Sequence, residues 1–234
     1  MHITAQTLIG DLVRKYYNTT VVFHTYRIDY YCHGNRSLLE ACDENTVDVD
    51  ELVKQLQISL HIEDPHEVPY YKWSMDDLTA HIEKIHRYLQ NELRDILGKV
   101  VAKGARAISE QRYWLELQRL LTLALGRLQH HHQKEELFSL PYFRKISLAK
   151  DSGEAIPSLE AEQLERHLDI MRQEHEVIAN KVKRICNYVL ASESQEQDEE
   201  KWLVRKLKNL DDQVRLYIHL ENNVLFHKVT QINN

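Results

Sequence analysis

The feature that most constrains this chain is a set of four long segments in which apolar residues recur at alternating spacings of three and four. That spacing places successive side chains on one face of an α-helix. The chain has only 6 Gly and 4 Pro among 234 residues, which favours long helices over strands and turns. The sequence therefore predicts an all-α fold whose larger part is a four-helix bundle. The four apolar stripes run Ile82 to Val100, Trp114 to Glu135, Leu164 to Val189 and Leu203 to Val224.

Shorter helical patterns fill the amino-terminal region, and Asp48 with the acidic residues after it is typical of a helix start. Pro65 and Pro69, among polar residues, interrupt any helix there. We therefore expect a small helical domain over residues 1–60, a linker over 61–74 and the bundle over 75–234. Breaks within the bundle are predicted at Lys103 and Gly104, in a loop from Pro141 to Pro157 that contains Gly153, and in a polar turn from Ser192 to Glu199.

Charge and cysteine usage limit the class of protein. A net charge of -6 shows no basic excess, so nucleic acid is not an expected partner. No stretch approaches the roughly 20 apolar residues that span a bilayer, so we expect neither a secreted nor a membrane-inserted protein. Cys32, Cys42 and Cys186 have neither zinc-site nor disulfide spacing, and an odd count fits a reducing compartment. The sequence predicts a cytoplasmic protein.

Each apolar stripe carries an ionisable or polar residue where the pattern calls for an apolar one. Burying an unpaired imidazole or carboxylate costs several kcal/mol, so such residues on all four faces need mutual compensation. Metal ions would supply it, because they bind neutral imidazole and carboxylate oxygens, and a bundle brings ligands from different helices to one point. The stripe residues are His86, His131, Glu135, His175, Tyr217 and Glu221.

Spacing supports a shared site, because His131 and Glu135 lie four residues apart, as do Tyr217 and Glu221. Iron, manganese or zinc would suit these ligands, and two carboxylates able to bridge favour two ions over one. The alternative is a hydrogen-bonded core network without metal. His130 and His132 flank the second stripe, and we expect them to be solvated or to support a ligand.

Several motifs resemble one family, the iron-sulfur cluster repair di-iron proteins of the ScdA/YtfE type, which have a hemerythrin-like domain. The amino-terminal segment that contains Cys32 resembles the opening signature of that family. The motifs around His86, around His131 with Glu135, and around His175 resemble its bundle motifs, and order and spacing agree along nearly the whole chain. The two most specific segments read Asp-Tyr-Tyr-Cys-His-Gly-Asn-Arg-Ser-Leu from Asp29 and Glu-Asn-Asn-Val-Leu-Phe from Glu221.

The resemblance implies a non-haem di-iron centre and a role in repairing iron-sulfur clusters after oxidative or nitrosative damage. By position, the implied ligands are His86, His131, Glu135, His175 and Glu221, with the two glutamates bridging two iron ions. Damaged iron-sulfur proteins would be the clients, and nitric oxide or dioxygen the small ligands. The chain could also pair as a homodimer. A repair or iron-donor protein is implied rather than a conventional turnover enzyme.

Three departures from the family pattern leave alternatives open. Tyr217 stands where the family has His, so it could ligate ferric iron, support a ligand beside an open coordination site, or mark a weakly held or absent ion. No histidine occurs between His86 and His130, where the family tends to have a second one late in the first bundle helix. The paired cysteines of the family are reduced to Cys32, which could hand iron or a small ligand to a client or simply pack.

Two other functions are consistent with the same residues. One is a hemerythrin-like sensor or carrier of nitric oxide or dioxygen, with the small domain passing the signal to a partner. The other is a divergent interaction protein with an incomplete metal site.

Overall fold

A computed structural model describes residues 2–62, 68–106, 110–154, 161–191 and 198–233. Within these ranges the chain forms helices and no strand, apart from one isolated bridge between Leu8 and Ser37, so the predicted all-α class is confirmed. The helices are α1 (Ile9–Lys15), α2 (Thr20–Thr25), α3 (Leu38–Asn45), α4 (Val49–Ser59), α5 (Met75–Gly104), α6 (Gln111–Lys134), α7 (Leu140–Ser152), α8 (Ala161–Leu190), α9 (Asp198–His219) and α10 (Phe226–Asn233).

Contacts divide the chain into two compact units, residues 1–78 with 218–234, and residues 79–217. The predicted domain boundaries at 60 and 75 stay a prediction. Part of the predicted linker, 63–67, and most of the predicted turn at 192–199 lie outside the described residues. No helix among the described residues is long and apolar enough to cross a membrane.

The unit formed by residues 79–217 is a bundle of four long helices. Side chains link α5 to α6, α6 to α8, α8 to α9 and α9 back to α5, which closes the ring. Lys206 of α9, for example, donates to Glu92 of α5, and Lys99 of α5 lies over the ring of Trp202. All stripe residues predicted on α5, α6 and α8 are buried, as are those from Leu203 to Tyr217 on α9. The predicted period therefore identified the inward faces correctly.

The loop predicted from Pro141 to Pro157 is wrong over its first part. The chain passes from α6 through one π-helical turn, Glu135–Ser139, directly into α7, which continues to Ser152. Pro141 is tolerated because it lies in the first turn of α7, where its missing N–H and fixed φ do least harm. The helix ends at Gly153, whose φ of 68° places it in the left-handed region, as the predicted break there required.

The other unit contains α1 to α4 together with the carboxyl-terminal segment. Ser37 caps α3 in a reciprocal arrangement with Glu40, and Asp48 caps α4 by accepting from the Glu51 N–H, which confirms the predicted acidic start. These caps satisfy amide groups that the first helical turn leaves without partners.

A second π-helical turn, Leu220–Leu225, joins α9 to α10 and carries two buried asparagines. The Asn222 side chain donates to the Tyr31 carbonyl, and the Asn223 side chain donates to the Tyr30 carbonyl. The two segments that resemble the repair family most specifically are therefore in direct contact.

Candidate metal centre

Glu135 is the point at which nitrogens from three helices meet. It begins the π-helical turn after α6, and its side chain is only 1% exposed. His131 Nε2 lies 2.9 Å from its Oε1 and His86 Nε2 lies 3.3 Å from its Oε2. His175 Nε2 lies 3.4 Å from Oε1. The structure thus brings together four of the predicted ligands, on α5, α6 with its π turn, and α8.

The outer nitrogens of two of these rings are held by carboxylates. His86 Nδ1 lies 3.0 Å from Glu136 Oε1, and His131 Nδ1 lies 2.7 Å from Glu174 Oε2. A proton on Nδ1 leaves the lone pair on Nε2, so each carboxylate favours the tautomer that can bind a metal ion at the Glu135 side. Metal-binding histidines in proteins are usually supported in this way.

Electrostatics keep the central carboxylate ionised. Burial by itself raises the pKa of Glu135, but the charges and hydrogen bonds of the surrounding histidines, His131 foremost, lower it well below the ordinary value. Burial lowers the pKa of His131, yet Glu135 and Glu174 together raise it above the ordinary value. The hydrogen bond with His131 lowers the pKa of Glu174 to about 2. The histidines around Glu135 therefore compensate the charge of this buried carboxylate.

Tyr217 lies inside this cluster, level with His175 as the sequence predicted. Its ring is fully buried, and its hydroxyl donates to Glu135 Oε2 at 3.1 Å and lies 3.2 Å from His175 Nε2. The phenol therefore contacts two predicted ligands through the only atom with which it could bind a metal ion.

Of the two expectations for His132, that it is solvated or that it supports a ligand, the position of its ring agrees with the second. Its ring is fully buried and stacks on His86, with ring centroids 3.7 Å apart and an interplanar angle of 9°. Burial, followed by the charge of His86, lowers its pKa to about 2, so the ring is neutral near pH 7. The neighbouring His130 is exposed, as expected.

Two groups in this unit have the donor types and spacing of a metal site. One ligand atom from each of His131, Glu135 and His175 lies within 4.8 Å of the others, and the same holds for His86, His132 and Glu135. Imidazole nitrogen with carboxylate oxygen is a donor set that iron, manganese and zinc accept. Glu135 belongs to both groups.

Two predicted residues lie in the other unit and stay predictions. Glu221 is fully buried on the second π-helical turn, one helical turn after Tyr217 in the same continuous helical segment. Cys32 is half-buried, and its N–H donates to the Asp29 carboxylate at 2.9 Å. In that unit His219, predicted not to be a ligand, lies beside the ring of Tyr17 and the amide of Asn223.

Sequence reasoning missed the roles of Glu136 and Glu174. Both lie off the apolar stripes, so the helical period gave no reason to select them. A signal was nevertheless present, since each is the immediate chain neighbour of a predicted ligand, Glu135 and His175. A carboxylate one residue from a ligand on a helix points to the side of the site and can reach the outer nitrogen of a histidine on the facing helix.

Comparisons with known families agree with this geometry. The model of the hemerythrin HHE cation binding domain matches residues 77–229, and the ScdA_N model, described as a domain of unknown function (DUF542), matches residues 5–59.

Full-length relatives are similar at low identity. The iron-sulfur cluster repair protein ScdA of Staphylococcus epidermidis is 23% identical over 97% of this chain and 100% of its own length. ScdA of Staphylococcus haemolyticus is 25% identical over 97% and 99% of the two chains. The iron-sulfur cluster repair protein YtfE of Dickeya chrysanthemi is 25% identical over 97% of each.

Proposed function

Because the chain belongs to the hemerythrin HHE cation binding domain family, we propose that its bundle holds two iron ions and that the protein takes part in the repair of damaged iron-sulfur clusters. The observation that carries the proposal is the convergence of His86, His131 and His175 Nε2 on the two oxygens of one buried carboxylate, Glu135. His86 Nε2 and His131 Nε2 are buried and have no hydrogen-bond partner among the described residues, as expected for nitrogens that offer a lone pair to a metal ion.

The chain's own residues supply position and charge. The Glu135 carboxylate faces His131 and His175 with Oε1 and His86 with Oε2, and these residues would hold the iron. Glu136 and Glu174 orient two of the rings. Iron bound to such histidine and carboxylate donors would supply a redox-active centre for a small ligand such as nitric oxide or dioxygen. Tyr217 donates a hydrogen bond at the same place.

The repair role is supported by the relatives, which are named iron-sulfur cluster repair proteins and match almost the whole of this chain. Damaged iron-sulfur proteins are the proposed clients, and donation of iron is the proposed action. Cys32 is the proposed residue for transfer to a client. A cytoplasmic location belongs to the same proposal, and its support is that all three cysteines are free thiols.

The first experiment measures metal content and repair together. Tag-free protein is reloaded with ferrous iron without oxygen, desalted, analysed for metal, and then mixed with an enzyme whose iron-sulfur cluster has been damaged by nitric oxide. We expect about two irons per chain and recovery of the client activity. His131→Ala should lose both, whereas His130→Ala, which changes the exposed neighbour, should lose neither.

Each contrary result is informative. Metal content that His131→Ala leaves unchanged would refute the site. Full loading without recovery of any damaged client would refute the repair role and leave the metal centre in place.

A second candidate function rests on Tyr217. Its hydroxyl already satisfies Glu135 and His175 by hydrogen bonds, as expected for an interaction protein whose metal site is incomplete. This candidate predicts less than one iron per chain in the wild type and a gain of metal in Tyr217→His, which adds a ligand nitrogen. No gain in that variant would remove the support for it.

A further inference from the structure

His132 is a buried histidine with one ring nitrogen that no hydrogen bond among the described residues accounts for. Its Nε2 has no hydrogen-bond partner among the described residues, and the ring is fully buried. A buried polar atom left without a partner costs about 1–3 kcal/mol. An apolar side chain at this position of α6 would avoid that cost, so retention of an imidazole points to a ligand for it.

The surroundings of His132 repeat those of the predicted ligands. Its Nδ1 lies 3.1 Å from the amide nitrogen Nε2 of Gln90, whereas His86 Nδ1 and His131 Nδ1 lie beside the carboxylate oxygens of Glu136 and Glu174. In all three histidines the outer nitrogen is therefore held by a polar side chain of a neighbouring helix or turn. A ligand atom of His132 also lies within 4.8 Å of ligand atoms of His86 and Glu135.

We propose that His132 binds, together with His86 and Glu135, the ion on the Oε2 side of Glu135. The inference rests on the proposed metal centre and adds to it a ligand that the helical pattern did not select. It divides the histidines of this unit into two pairs, His131 with His175 on one ion and His86 with His132 on the other. One bridging carboxylate would serve both.

Two adjustments accompany binding. For His132 Nε2 to offer its lone pair, Nδ1 must carry the proton and donate to the Gln90 oxygen, which a half-turn of the Gln90 carboxamide provides. Arg94, which donates to Gln90 Oε1, keeps a second acceptor in Asn91. Because the His86 and His132 rings are nearly parallel, one ion cannot lie in both ring planes, and we expect one ring to turn when the ion binds.

The test compares His132→Met with His130→Met, since Met keeps the bulk of the side chain and removes both nitrogens. After loading with ferrous iron and desalting, we expect His132→Met to retain about half the iron of the wild type and His130→Met to retain all of it. If iron is instead kept in excess so that both ions stay bound, X-ray absorption should show the loss of one imidazole nitrogen in every four. Metal content and nitrogen count equal to the wild type in His132→Met would overturn the proposal.

His131→Ala separates this proposal from the one on which it rests. If His131→Ala loses iron and His132→Met does not, only the role of His132 fails. If neither variant loses iron, the metal centre itself fails and the His132 proposal fails with it.

Gln90→Ala covers the case in which His132→Met does not fold. Loss of the group that holds a metal-binding ring weakens metal affinity about 10–100-fold. We expect that loss for one of the two ions in Gln90→Ala and no change in Gln133→Ala, which removes a carboxamide at an exposed position. Equal affinities in these two variants would overturn the proposal.

Discussion

Replacing Tyr217 by Phe removes one oxygen from the centre of the bundle and leaves the ring in place. In metal-free protein the hydroxyl donates to the ionised Glu135 carboxylate at 3.1 Å, and both side chains are buried. A hydrogen bond to a charged group contributes about 1.5–3 kcal/mol to stability. For a chain of this length, each kcal/mol shifts the melting temperature by about 2–4 °C. We therefore expect a decrease of about 3–12 °C.

The assay is thermal unfolding followed by circular dichroism at pH 7 in the presence of a chelator, where Glu135 is ionised. Tyr188→Phe is the matched control, because the Tyr188 hydroxyl donates to a neutral carbonyl of Tyr113 at 3.4 Å from a partly exposed position. We expect that variant to lose about 0.5–1 kcal/mol, the lower part of the range for a neutral hydrogen bond. If Tyr217→Phe is no less stable than Tyr188→Phe, the phenol does not support the Glu135 carboxylate and the electrostatic reasoning is refuted.

Three further predictions follow from the same structure. In Gly34→Ala the new Cβ would overlap Asn223 Oδ1, so overpacking should destabilise the protein by about 1–3 kcal/mol in urea unfolding. Gly98→Ala, with open space at that Cβ, should instead stabilise it by about 0.5–1 kcal/mol. Equal effects would contradict the close approach. Glu174→Gln should destabilise the protein near pH 7. Because the pKa of Glu174 in the folded protein is lowered to about 2, the stability difference between wild type and variant should be complete above about pH 4.5 and vanish as the pH falls towards 2. A stability difference that does not change with pH in unfolding curves would refute the pairing with His131. Removal of iron should lower the free energy of unfolding by about 2.7 kcal/mol, compared with protein in the presence of free iron at 100 times its dissociation constant. A melting temperature that chelator leaves unchanged would show that metal does not bind the folded state.

The buried faces of the helices and most of the residues around Glu135 could be predicted, because both follow from the helical period of 3.6 residues. Leu89, His86 and Ile82 lie on one face of α5 whatever their chemistry, so polar residues on that face were visible as exceptions. The level of Tyr217 relative to His175 followed from the rise per residue, and the two side chains are in contact.

The helical period was less informative on α6, where the buried face is wider than one row of residues at three-four spacing. Leu128, His131 and Glu135 satisfy the three-four spacing, but His132 lies four residues after Leu128 and satisfies it equally well. The choice between adjacent histidines depends on which neighbouring helix each one meets, and the sequence of a single helix does not contain that information. The carboxylates that hold the outer nitrogens were missed for the same reason.

The two π-helical turns have a consequence for how sequences of this type can change. A π turn accommodates one more residue than an α turn, and each helical residue corresponds to about 100° of rotation. Deleting one residue between Glu136 and Ser139 would close this turn to an α turn and leave Phe143 and Ile146 facing the core. Deleting one residue from α7 between Leu140 and Phe143, where no extra residue is available, would rotate the rest of that helix by about 100°. One-residue deletions should therefore be tolerated within the π turn and penalised in the helix that follows it, even where every proposed metal ligand is retained.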